Sequence, residues 1–371
     1  MPLKKILCVF GTRPDAIKMA PVVLELLRRS DEFAVKIAVT GQHREMLDQV
    51  LTVFGIVPDY DLNIMTHGAS LSQITARAMN GLEPILAADR FDWVVAQGDT
   101  STTFVAALSA FYHKVSFGHV EAGLRTFNKF DPFPEEMNRL LVTRLATKHF
   151  APTSASAANL TAEGVSASDI VVTGNTGIDA LLTVASREYD LVDADVTKIA
   201  KQTGRVLLVT AHRRENWGPP LIRIAQAVKT LVEKYPDTIA VLPMHRNPVV
   251  REALQPVLAG NPRVLLIEPP DYVPFVKLQQ KATIILTDSG GVQEEAPSLG
   301  KPVLVLRETT ERPEGIAAGV ALLIGTETSR IVAEASRLLD DPEAYTRMSR
   351  AVSPYGDGKA SQRIADTLLG K

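Results

Sequence analysis

Ile6-Leu7-Cys8-Val9-Phe10 runs straight into Gly11-Thr12-Arg13-Pro14, and a helical pattern follows over 15–29, with Pro21 expected in its early turns. An apolar run with no polar alternation reads as a strand covered on both faces. A glycine turn that leads such a strand into a helix opens a parallel βαβ unit. Working outward, residues 35–40, 93–97, 115–120, 148–151 and 170–173 repeat the pattern, with a helix over 135–146. A polar helical stretch over 179–203 interrupts it. It then restarts with strands at 206–210, 239–243, 264–267, 283–287, 303–306 and 320–324, and a helix at 221–235. From Thr328 onward the chain reads as helical, broken by Ser353-Pro354-Tyr355-Gly356-Asp357-Gly358. The expected class is α/β, with two Rossmann-like domains whose parallel sheets face a central cleft. Their expected bounds are 1–175 and 176–352, with the helix in 353–371 packing back on the first domain.

At 371 residues the chain is too long for one ordinary core. Its net charge of −2 shows no basic surplus or stripe, which argues against a nucleic-acid partner. An anionic ligand must therefore be held by a few local cations. The single cysteine, Cys8, allows no intrachain disulfide, and within an apolar run it reads as a small buried hydrophobe. Gly11, Arg13 and Asp15 interrupt the first apolar run before a signal segment develops. No apolar stretch nears the ~20 residues of a membrane helix. A cytoplasmic protein without a membrane partner is expected.

The informative charges sit just past strand ends: Arg13, Asp99, Glu121, His212, His245 and Asp288. Each alone suits a cap or a loop, but together they occupy the places where doubly wound folds build sites. Asp288-Ser289-Gly290-Gly291-Val292-Gln293-Glu294-Glu295 is a strand end, a glycine turn and a helix start. Free N–H groups and a positive helix end there suit a diphosphate, with Glu295 one turn on to accept from a ribose. The residues alone leave a plain turn with Ser289 as N-cap equally open. The charged loop 307–314 likewise reads either as a phosphate-binding arm or as a solvated, ion-paired loop. No Gly-x-Gly-x-x-Gly follows the first strand, so no dinucleotide cofactor is expected. His-Glu-x-x-His and Gly-x-Ser-x-Gly are both missing, and no metal site is expected. Tyr355-x-x-x-Lys359 has a dehydrogenase-like spacing but lies in a glycine-rich break, and reads as a loop.

Seven blocks carry a resemblance: Gly11-Thr12-Arg13-Pro14 with Lys18, Gln97-Gly98-Asp99-Thr100, His119-Val120-Glu121-Ala122-Gly123-Leu124-Arg125, Pro134-Glu135-Glu136-x-Asn138-Arg139, Thr210-x-His212-Arg213-Arg214-Glu215-Asn216, Thr287-Asp288-Ser289-Gly290-Gly291 with Gln293-Glu294-Glu295, and Thr309-Thr310-Glu311-Arg312-Pro313-Glu314. In this order they resemble the bacterial non-hydrolysing UDP-N-acetylglucosamine 2-epimerases over essentially the whole chain. Tyr355-Gly356-Asp357-Gly358-Lys359 is similar to that family's C-terminal break. The resemblance implies a GT-B-like fold, a homodimer, and UDP held mainly by the second domain. It assigns Ser289, Gly290, Gly291 and Arg312 to the diphosphate, Glu295 to the ribose and Tyr272 to Phe275 to the uracil. Arg13, Lys18, Arg213 and His245 join them as substrate contacts. Asp99, Glu121, Glu135 and His212 form the implied catalytic set, while Gln42 and His43 are the place assigned to a regulatory second molecule of UDP-GlcNAc acting as allosteric activator.

Inverting C2 of an N-acetylhexosamine means removing a carbon-bound proton with no neighbouring carbonyl to acidify it. One route oxidises a neighbour with NAD. The other expels the anomeric diphosphate, so that cationic character at C1 acidifies C2. The missing dinucleotide fingerprint selects the second. The expected reaction interconverts UDP-GlcNAc and UDP-ManNAc through a 2-acetamidoglucal, with no cofactor. A hydrolysing 2-epimerase, a GT-B glycosyltransferase and a nucleotide-sugar sensor are the alternatives.

Overall fold

The computed structural model describes residues 2–41, 44–65, 68–190 and 193–371. The chain divides into two compact units, one of Met1–Ala180 with Gly356–Lys371 and one of Leu181–Tyr355. Among the described residues the first unit holds strands β1 (Lys4–Phe10), β2 (Phe33–Val39), β3 (Tyr60–Asp61), β4 (Trp93–Gln97), β5 (Ser116–Val120), β6 (Lys148–Ala151) and β7 (Ile170–Val172). All pair in parallel, in the order β3-β2-β1-β4-β5-β6-β7. The second unit repeats the plan with β8 (Arg205–Thr210), β9 (Thr238–Pro243), β10 (Val264–Ile267), β11 (Ile284–Thr287), β12 (Val303–Val305) and β13 (Ala321–Leu323). Its order is β10-β9-β8-β11-β12-β13, again parallel. In each unit the first strand lies beside the fourth, and there the strand order reverses. That reversal is the place where open α/β sheets leave a crevice at the carboxyl ends of their strands.

The central strands owe their place to composition. Ile6 to Phe10 and Val206 to Val209 are buried throughout, since helices cover both sheet faces. Cys8 is wholly buried in β1, and burial pushes its thiol up to about 12, so it packs as an inert hydrophobe. The helix Arg13–Arg28 starts on a reciprocal capping box between Thr12 and Asp15. Pro21 falls in the middle of that helix rather than in its early turns. The two-residue strand β3, which no apolar run announces, is held by edge pairing to Ala38 and Val39. Among the described residues, no helix is long and apolar enough to cross a membrane.

The final helix, Ala360–Leu369, belongs to the first unit and packs on Arg13–Arg28. Buried Asp179 fastens its start. Asp179 Oδ1 accepts from the Ser361 N–H at 2.8 Å and the Ser361 hydroxyl at 2.7 Å, and Oδ2 accepts from the Ala360 N–H at 3.2 Å. Asp179→Ala strands these donors in a buried place, so denaturant unfolding of the full chain is expected to show a loss of about 2–3 kcal/mol. A loss below about 0.5 kcal/mol in urea titration would show that the fastening is dispensable.

Candidate functional site

The first unit gathers polar groups where β1, β4 and β5 end. At Gly11 an added Cβ would lie 2.0 Å from Thr40 Oγ1, so only glycine lets β1 turn there. Buried Asp15 binds the turn. Its Oδ2 accepts from the N–H groups of Gly11 (3.4 Å) and Thr12 (3.1 Å) and from the Thr100 hydroxyl (3.3 Å). Burial, aided by the charge of Asp99, pushes the Asp15 carboxyl up to about 6 against those hydrogen bonds.

Glu121 follows β5 with φ at +65°, a left-handed conformation that disfavours side chains. Two groups hold it there, since Lys18 donates to one carboxylate oxygen and Gln97 Nε2 to the other. Asp99 Oδ2 meets Arg139 Nε at 2.8 Å and the same guanidinium's second nitrogen at 2.7 Å. Asn138 Nδ2 donates to the Asp99 carbonyl at 2.7 Å. Arg139 also binds the buried Glu136 at 3.0 Å, and Glu136 accepts from the Thr126 and Phe127 N–H groups. Glu135, beside it on the helix Glu135–Leu145, is half-buried, and its side chain makes no hydrogen bond or ion pair among the described residues. Arg13 is likewise half-buried with no such partner.

His119 lies beneath this set, buried in β5, with Nε2 2.7 Å from the Gly98 carbonyl. Burial drives its pKa down to about 3, so the ring is neutral. Its Nε2 must then carry the proton and donate to Gly98, which pins the peptide ahead of Asp99. Asp15, Gln97, His119 and Arg139 were not singled out by the sequence as site residues. Their signal, a polar residue at a strand end or on a buried helix face, is also what caps and core ties show.

In the second unit the cluster forms where β8, β9 and β11 end. Wholly buried Asp288 accepts on Oδ2 from the N–H groups of His212 (2.8 Å) and Arg213 (2.9 Å) and from Asn216 Nδ2 (2.9 Å). His212 stacks on His245 with ring centres 5.3 Å apart and planes 9° apart. Burial lowers the His212 pKa, opposed by Asp288 and reinforced by His245 and Arg213. A cavity of about 190 Å³ is lined by His212, His245, Pro269, Phe275 and Ser289, among others. Tyr272, on Phe275's helix, is buried and is not among its lining residues.

Ser289 occupies the N-cap position of the helix Gly290–Ser298, but its hydroxyl makes no capping bond. The guanidinium groups of Arg213 and Arg312 both reach Gly290, each with a nitrogen 3.6–3.7 Å from where a Cβ would stand. Arg213 Nε is buried without an acceptor. Gly291 has a negative φ, and an added Cβ would meet nothing within 4 Å, so neither backbone nor packing demands glycine there. N–H groups, a helix dipole and two guanidinium groups thus converge at this turn, an arrangement whose chemistry suits an anion. Arg312 is steadied by Glu294, and Glu295 accepts from Gln279 Nε2 at 2.8 Å. Within the charged loop, buried Arg307 pairs with Glu215 at 2.5 Å, and Arg312 is itself paired with Glu294 while its guanidinium reaches Gly290, so the loop is ion-paired at both arginines. Tyr355 stands in a loop, its hydroxyl accepting from the Gly315 N–H at 3.1 Å. Among the described residues no group of three or more His, Cys, Asp and Glu is arranged to hold a metal. Gln42 and His43 lie outside the described residues.

Residues 25–369 match the family described as Epimerase_2, UDP-N-acetylglucosamine 2-epimerase. The chain is 52% identical to the UDP-N-acetylglucosamine 2-epimerase of Salmonella typhimurium, over 98% of each chain. It is similar to the crystal structure of UDP-GlcNAc 2-epimerase from Neisseria meningitidis bound to UDP-GlcNAc, at 49% identity and a TM-score of 0.83, covering 99% of this chain and 100% of that one. A glycosyltransferase from Rickettsia africae shares the fold alone, at 12% identity, a TM-score of 0.64 and coverage of 100% and 99%. The fold class is therefore the α/β, GT-B-like one that the sequence led us to expect.

Two outcomes test this geometry. Since Glu121 sits at φ +65°, Glu121→Gly is expected to be more stable than Glu121→Ala by about 1 kcal/mol in denaturant titration, with equal stabilities refuting the strain. His119 has a folded pKa of about 3 against an ordinary 6.5, so its neutral burial stabilises the fold above pH 6.5, and that contribution is lost as pH falls toward 3. Across this window wild type is expected to lose up to about 1.4 kcal/mol per pH unit more than His119→Gln, measured by unfolding at stepped pH.

Proposed function

The chain belongs to the UDP-N-acetylglucosamine 2-epimerase family, and on that premise we propose that it interconverts UDP-GlcNAc and UDP-ManNAc without hydrolysis and without a cofactor. The observation that carries the reading is the pair of guanidinium groups, Arg213 and Arg312, over the uncapped turn at Gly290. A departing UDP needs such a cationic, N–H-rich seat, because the C1–O bond electrons leave with the diphosphate. Loss of UDP puts cationic character on C1 and acidifies the C2 proton, which a carboxylate removes to give a 2-acetamidoglucal. UDP then re-adds at C1, and a proton delivered to the opposite face of C2 completes the inversion.

The second unit takes the nucleotide: Ser289, Gly290, Gly291, Arg213 and Arg312 the diphosphate, Glu295 the ribose, and Phe275 with Tyr272 the uracil, near His245. The first unit supplies the proton chemistry through Asp99, Glu121 and Glu135, with Arg13 and Lys18 stabilising the leaving group, and His212 completes the acid–base set. The three carboxylates differ in their surroundings, which is what separate acid and base duties require. Action as a homodimer, and activation by a second UDP-GlcNAc near Gln42 and His43, belong to the same proposal.

Incubation with UDP-GlcNAc in deuterated water is the deciding measurement. The expected product is UDP-ManNAc deuterated at C2. Free N-acetylmannosamine would instead mark a hydrolysing enzyme, and binding without either product a sensor. Asp99→Asn and Glu121→Gln are each expected to lower turnover by about 10²- to 10⁴-fold, and near-normal rates in both would sink the mechanism. Arg312→Ala is expected to weaken UDP binding by about 10- to 100-fold in calorimetry.

A further inference from the structure

Asp288 has two oxygens in different circumstances. Three donors serve Oδ2, at 2.8–2.9 Å. Oδ1 is buried and has no hydrogen-bond partner, but His212 Nδ1 lies 3.3 Å away, in ion-pair range though not aligned as a hydrogen bond. A buried carboxylate oxygen without a donor is unfavourable, and the one N–H that can serve it is the imidazole's. The ring cannot easily swing elsewhere, since His245 is stacked on one face and the His212 carbonyl is fastened to Trp217 Nε1 at 3.2 Å.

We propose that Asp288 is a positioning residue that fixes the His212 tautomer, with the proton on Nδ1 facing Asp288 and Nε2 left as the working nitrogen. This rests on the epimerase reading for its consequence, though not for its geometry. The charged and titratable groups that face the ring are Asp288 beyond β11, His245 beyond β9 and Arg213 in its own loop. Burial, His245 and Arg213 hold the ring neutral near neutral pH, so Nε2 is an acceptor. Once Nε2 takes up a proton, the carboxylate behind Nδ1 stabilises the imidazolium, as a carboxylate behind a catalytic histidine does. The same Oδ2 bonds aim the Arg213 N–H and, through Asn216, tie the loop to the Leu306 carbonyl at 3.0 Å. A clamp of the loop and a tautomer lock are separable, because they use different oxygens.

Asp288→Asn separates them. The amide oxygen still accepts from the loop, but the amide nitrogen now donates toward Nδ1 and forces the proton to Nε2. Two-bond ¹⁵N–¹H correlation spectra, with the His212 signals identified by their loss in His212→Gln, read the tautomer directly. Wild type is expected as the Nδ1–H form and Asp288→Asn as the Nε2–H form. In the variant, kcat is expected to fall about 10²- to 10⁴-fold, with UDP affinity within about threefold and Tm little changed. Asp288→Asn in a His212→Gln background is expected to cause no further loss. The proposal is overturned by an Nε2–H wild type, by near-normal kcat in Asp288→Asn, or by a loss that multiplies with that of His212→Gln. Should Asp288→Asn not fold, the wild-type tautomer alone decides. A wild type that is Nδ1–H but does not turn over UDP-GlcNAc would refute the functional reading and leave the tautomer lock standing.

Discussion

Two parallel sheets covered on both faces can show polar groups only at their strand ends, and in each the order reverses between the first and fourth strands. Helices leave those two strands toward opposite faces, so their exit loops part and expose backbone N–H groups that need partners. Each unit answers with one buried carboxylate. Asp15 receives N–H groups from the exit of β1 and a hydroxyl from the exit of β4. Asp288, at the exit of β11, receives two N–H groups from the exit of β8. The elements differ, since Asp15 sits on a helix and Asp288 on a strand end, but the span bridged is the same.

The two ties sit in opposite electrostatic surroundings. Asp15 has long contacts and another carboxylate, Asp99, near enough to raise it, within a set that also holds Glu121. Asp288 has shorter contacts and lies below Arg213, with Arg312 reaching the same turn. One frame thus yields a carboxylate-rich cluster suited to moving protons and a cation-rich cluster suited to holding an anion. Neither property belongs to the fold. Both come from the few residues that extend past the strands.

The strands were legible because β1, β4 and β8 are buried on both faces and so lack polar interruption, whereas Tyr60–Asp61 is an edge strand with no apolar run behind it. The charged residues beyond the strands were legible from position alone. Their pairings were not. Arg139 meets Asp99 across 40 positions and Lys18 meets Glu121 across 103, separations that only the completed sheet brings together. At Ser289 composition could not choose between a cap and an anion seat. The unused hydroxyl and the two guanidinium groups at Gly290 favour the seat, and both are properties of side-chain direction.

Glu121 and Arg213 show why these clusters are not optimised for the fold alone. A glycine in place of Glu121 would accept φ +65° freely, and a shorter side chain in place of Arg213 would leave no buried Nε without an acceptor. The strain at Glu121 is offset by Lys18 and Gln97, which fix both carboxylate oxygens. No protein group offsets the orphaned donor of Arg213 among the described residues. A donor of that kind is tolerable where a bound anion completes its hydrogen bonds, and it lies beside the glycine turn that has room for one. The two units therefore differ: the strain at Glu121 is held by a hydrogen-bond set that protein groups close, whereas the set around Arg213 is left open by them.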